Sequence, residues 1–148
     1  MRLTVAALIV SLVAMSSSVR AEDKTSIPAE ITTISDQFFT DLQAGKINEA
    51  WLFVMKDLVP SLGEAGLARA AGQTDSFIKN FGKIQRWSRL KTIVVSDTMY
   101  RIVYYVELEK VPLFFQLQFY KHGADWSVVD ARMDAYNSAK TNLYFTDN

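Results

Sequence analysis

A single histidine, His122, and a complete lack of cysteine limit the chemistry open to this chain. Without thiols there is no disulfide framework, thiolate metal site, cysteine nucleophile or lipidated N-terminal cysteine. One imidazole makes no transition-metal site without carboxylate partners, and none is spaced around His122. No metal ligands and no cofactor are therefore assigned. His122 stands beside Gly123 in a predicted hairpin loop, where a solvated turn residue is the simpler account. Lys79, Lys83, Arg86, Arg89 and Lys91 form a basic run with Trp87 inside it and no acid from Ser76 to Ser96. Such a run suits an anionic ligand or an acidic partner. The favoured account is an edge strand protected by charge. The most coherent polar group is Tyr105, Glu107, Gln116, Asp130 and Arg132. It fits a recognition patch or dimer interface, or ordinary cross-strand pairing on a solvated sheet. Its aromatic neighbours Phe114, Tyr120 and Trp126 favour the interface, because clustered exposed aromatics need cover. With Gln118 added, the expected interface is Tyr105, Phe114, Gln116, Gln118, Tyr120, Trp126 and Arg132.

These groups sit on one domain's worth of chain. The 148 residues are 49% hydrophobic and 22% charged, the composition of a globular protein. Sixteen basic residues balance sixteen acidic ones, so nothing steers the chain toward nucleic acid.

Residues 1–21 have the layout of a secretory signal peptide. Arg2 gives a positive start, Val5 to Met15 is apolar apart from Ser11, and Val19-Arg20-Ala21 fits a cleavage site. The apolar run is shorter than the roughly 20 residues a bilayer span needs. Cleavage after Ala21 is expected, giving a soluble exported protein, periplasmic in a Gram-negative cell, with no stable membrane insertion. Cleavage removes Arg2 and Arg20 and no acid, leaving a net charge of −2. The domain is expected over residues 22–136, followed by a polar tail at 137–148.

The first half reads as helix. Ile27, Ile31, Ile34, Phe38 and Leu42 recur at steps of three and four, with Ser26 as N-cap, Pro28 in the first turn and Gly45 as the stop. Asn48 is expected to cap a second helix carrying Trp51, Val54, Met55 and Leu58, ended by Val59-Pro60. Ser61-Leu62-Gly63-Glu64 reads as a capping box for a weaker third helix to about Ala71. A further short turn is expected to start at Thr74 or Asp75 and close at Gly82.

After Gly82 the period changes to two, and residues 84–95, 99–109, 112–120 and 125–135 read as strands. Short connections predict antiparallel neighbours. Setting Glu109 opposite Pro112 places Val106 against Phe115 and Tyr104 against Leu117. One face then carries Ile102, Tyr104, Val106, Leu108, Leu113, Phe115, Leu117 and Phe119. Setting Tyr120 opposite Trp126 adds Val129, Ala131 and Met133 to it. The helices must cover this apolar face. The other face holds the mixed polar and aromatic set. The fold class is α+β, with N-terminal helices packed on a curved four-stranded antiparallel sheet.

Phe38-Phe39-Thr40-Asp41-Leu42-Gln43-Ala44-Gly45-Lys46 followed by Asn48-Glu49-Ala50-Trp51 resembles the end of the first helix and the start of the second in the nuclear transport factor 2-like superfamily. Phe119-Tyr120-Lys121 leading to Asp125-Trp126-Ser127-Val128-Val129-Asp130 resembles its final strands. The likeness spans about residues 26–135, is closest in character to small exported bacterial members, and implies a cone-shaped α+β domain. One shape there hosts isomerases, dehydratases, cyclases and plain binding modules, so the fold licenses no activity. Ketosteroid-isomerase-like members imply a carboxylate base and a hydroxyl donor inside the cone. Here Tyr104 is the weak candidate donor, with Tyr100 near the mouth, and Asp97 or Asp130 the weak candidate base. A turn former at Asp97 and a surface pair of Asp130 with Arg132 are the favoured accounts. Some dehydratase members use an interior histidine, but a loop tip is the wrong place for one.

The expected function is an exported, non-catalytic binding or assembly module, homodimeric through the outer sheet face. It would hold a small apolar ligand against Tyr104, Phe115, Trp51 and Phe38, or simply a packed core. The alternatives are an isomerase-, dehydratase- or cyclase-like enzyme and an accessory subunit of an envelope complex.

Overall fold

The computed structural model describes residues 26–135. The expected signal peptide and the polar tail lie outside the described residues. Three helices precede a four-stranded antiparallel sheet of order β1-β2-β3-β4. The class is α+β, as the change of period at Gly82 predicts.

Helix α1 spans Ala29–Gln43 and buries Ile31, Ser35, Phe38, Phe39 and Leu42. Its cap position is Pro28 rather than Ser26, and no side chain caps it. The Pro28 carbonyl accepts from the Ile31 amide at 3.1 Å, so the chain turns into helix directly after the ring. The other end closes as predicted. Gly45 takes a φ of 78°, the Lys46 amide donates to the Asp41 carbonyl and the Gly45 amide to that of Leu42, a Schellman stop. Helix α2 spans Ile47–Met55, so Asn48 falls in the first turn.

The next stretch departs from expectation. Val59-Pro60 does not end α2 but opens α3, Val59–Phe81, with proline in the first turn, where its missing amide costs nothing. Gly63, at φ 68° and ψ 169°, breaks the helical path, and no capping box forms around it. From Glu64 the helix runs unbroken through Ala71 to Phe81, because Thr74 does not start a new turn. Its hydroxyl donates to the Ala70 carbonyl at 3.0 Å and its side chain is wholly buried, so it behaves as an interior helix residue.

The strands are β1 Ile84–Ser96, β2 Met99–Leu108, β3 Pro112–His122 and β4 Asp125–Ala135. Glu107, not Glu109, lies opposite Pro112, so Tyr104 faces Phe115 and Val106 faces Leu113. The Leu108 amide closes the loop on the Val111 carbonyl. A slip of two residues preserves every side chain's face. Ile102, Tyr104, Val106, Leu108, Leu113, Phe115, Leu117 and Phe119 therefore all lie in the core under the helices.

The last strand carries one real correction. Gln118 pairs with Asp130 but Phe119 pairs with Val128, so Val129 is the extra residue of a β-bulge. One added residue reverses the alternation. Trp126 and Val128 turn into the core and Val129 leaves it, while Ala131 and Met133 stay on the inner face as expected.

Candidate functional site

The inner face is filled. Phe38, Phe39, Trp51 and Phe115 pack ring against ring, with Phe38 at 5.3 Å from Trp51 and 5.8 Å from Phe115 between centroids. Tyr104 lies 4.8 Å from Phe39. The four residues expected to hold a ligand thus touch one another or their neighbours in the core. Their polar tips are satisfied by two side chains that the sequence reading missed. The Tyr104 hydroxyl donates to Ser35 Oγ at 2.6 Å, and Ser35 donates on to the Ile31 carbonyl at 2.8 Å. Trp51 Nε1 donates to Thr74 Oγ1 at 2.9 Å. Small hydroxyl residues within a buried helical stripe, with an aromatic donor elsewhere in the chain, were the available signal. Buried Tyr and Trp need such partners.

Burial pushes the Tyr104 phenol above its ordinary value of 10. The Ser35 bond and the Arg89 charge pull it back, and Asp36 adds to the rise. A neutral hydroxyl whose proton is already given to Ser35 has no proton free for a substrate oxygen. The candidate bases lie elsewhere. Asp97 is exposed in the β1–β2 turn. Asp130 sits opposite Gln118 on the outer face and accepts from Arg132 Nε at 2.9 Å. Asp130 is on the opposite side of the sheet from Tyr104, because alternate residues point oppositely, and Asp97 lies outside the strands.

His122 borders an open cleft of about 830 Å³ between the start of α1, the end of α2 and the β3–β4 turn. Glu30, Asp57 and Asp125 share its walls, and Trp126 lies at its base. Among the described residues, no three of His, Asp and Glu are placed to hold a metal ion.

The basic run divides in space. Lys79 pairs with Asp75 on α3 at 2.5 Å, Arg86 pairs with Glu107 on the outer face at 2.5 Å, and Arg89 borders a second cleft beside Tyr104. β1 is an edge strand, as the charge pattern suggested. No protein family, curated protein or solved structure matches this chain.

On the outer face lies a second, separate apolar cluster. Val103 is fully buried and Phe114 is 5% exposed, with Tyr105 packed against them at 5.8 Å from the Phe114 ring. Gln116 is also buried, Gln118 is half-buried, Tyr120 is exposed, and Arg132 is exposed beside Asp130. Six of the seven expected interface residues share this face. Trp126 does not, because the bulge turns it inward against Tyr100. Arg101 Nε, in the row with Gln118 and Asp130, is buried and has no acceptor.

Proposed function

We propose that this chain is an exported, non-catalytic assembly module of the nuclear transport factor 2-like type. It pairs with a second copy of itself through the outer sheet face. Export rests on the pattern of residues 1–21, and the family on the motifs at 38–51 and 119–130. The observation that carries the assembly role is the aromatic and polar outer face, where Tyr105 is half-buried and Tyr120 exposed on the side of the sheet opposite the helices.

Two features favour a second copy as the partner of this face. Its apolar cluster lies on the central strands β2 and β3, where a twofold contact has its middle. On this face β1 presents Arg86, paired with Glu107 of β2, whereas β4 presents Asp130, paired with Arg132, and Asp134. A twofold axis running along the strands lays β1 of one copy over β4 of the other, Arg86 toward Asp134. The filled interior favours a packed core over an enclosed ligand. The engaged Tyr104 hydroxyl, with both candidate carboxylates outside the core, disfavours an isomerase or dehydratase.

Sedimentation equilibrium of the purified protein tests the proposal. A dimer is expected, and Tyr105→Glu, which places a charge at the edge of the cluster, should return a folded monomer. A strict monomer at high protein concentration would overturn the self-pairing.

A further inference from the structure

Along the seam between α1 and β1, on the helix-covered side of the sheet, a cleft of about 300 Å³ opens beside the packed core. Its two walls carry opposite charges. Asp36 stands on α1 and Arg89 on β1, both exposed and both bordering the cleft. Among the described residues neither makes an ion pair, with the other or with anything else. Both nevertheless act on the Tyr104 hydroxyl at the cleft floor, with opposite sign. Trp87 forms an apolar side, its indole held by stacking on Phe39 at 5.8 Å, and Ile27 adds to it.

Opposite charges facing one cleft without meeting suit a ligand that carries both signs. A simple anion would be drawn by Arg89 and repelled by Asp36, and a simple cation the reverse. We propose that this cleft binds a small zwitterion with an apolar or aromatic body, of the α-amino acid class. Its carboxylate lies on the Arg89 guanidinium, whose planar fork matches that geometry. Its ammonium lies on Asp36, and its side chain rests against Trp87 and Ile27. The volume is at the lower end for ligand pockets and accommodates one amino acid rather than a peptide. The site is on the inner seam and does not depend on pairing through the outer face.

L-Phenylalanine is the probe, titrated into the purified protein while the three indole N–H signals are followed by NMR. A saturable shift of the Trp87 signal, larger than those of Trp51 and Trp126, is expected. 3-Phenylpropionate and phenethylamine, each carrying one of the two charges, should bind about tenfold or more weakly. Arg89→Gln and Asp36→Asn alter exposed side chains and should leave the fold intact. Each should weaken L-phenylalanine by about tenfold, with Arg89→Lys between Arg89→Gln and the parent. No saturable shift at millimolar ligand would overturn the assignment. So would equal binding of 3-phenylpropionate, or unchanged affinity in both charge-removing variants.

Discussion

The two faces of one sheet solve the same problem differently. Both carry apolar residues on β2 and β3, and both bury some of them almost completely. On the inner face the cover comes from α1, α2 and α3, and the aromatic rings of Phe38, Phe39, Trp51 and Phe115 interlock. On the outer face Val103 and Phe114 form a smaller buried cluster with Tyr105 packed against it. The inner cover is a close-packed layer of helices.

Truncation of one phenylalanine on each side breaks the comparison most directly. Phe115→Ala should cost about 3–5 kcal/mol in urea unfolding, because a ring wholly enclosed by other rings leaves a cavity that cannot collapse. Phe114→Ala should cost less, about 1–3 kcal/mol, since its apolar cluster is smaller than the core around Phe115. If the outer face pairs, that smaller cost should grow with protein concentration, whereas the cost of Phe115→Ala should not. Equal, concentration-independent costs would erase the distinction.

A gentler change probes the inner face alone. Tyr104→Phe removes a buried hydroxyl bond and should cost about 1 kcal/mol near neutral pH. Burial raises the folded phenol above its unfolded value of 10. Its contribution is therefore intact below pH 10 and is lost as pH rises, since the unfolded chain releases the proton first. Tyr104→Phe lacks that loss, so the gap between parent and variant should hold to about pH 10 and narrow as pH rises above it. A gap that stays constant over this range would contradict the burial of the phenol.

The smallest effect belongs to the outer fringe. Arg132 is an exposed partner of Asp130, and Arg132→Ala should change monomer stability by no more than about 0.5 kcal/mol. On a paired face the same change should still weaken association measurably. Sedimentation and unfolding of one preparation separate the two outcomes.

Much of this was legible in the residues. The stripe at Ile31, Phe38 and Leu42 marked α1, and alternation after Gly82 marked four strands and the faces of β2 and β3. Those faces survived a two-residue error in register because side-chain direction depends only on parity. Continuation of α3 through Thr74 was harder to read, since threonine is compatible with either a cap or a buried helical position.

The chain alone therefore determined periodicity, and with it the elements and the composition of each sheet surface, since those are properties of neighbours in sequence. Tertiary structure decided the rest. A single extra residue at Val129 turned Trp126 inward, a choice made by pairing with β3. Ser35 met Tyr104 from 69 positions away, and Asp36 and Arg89 came to border one cleft, because only packing brings distant backbone segments together.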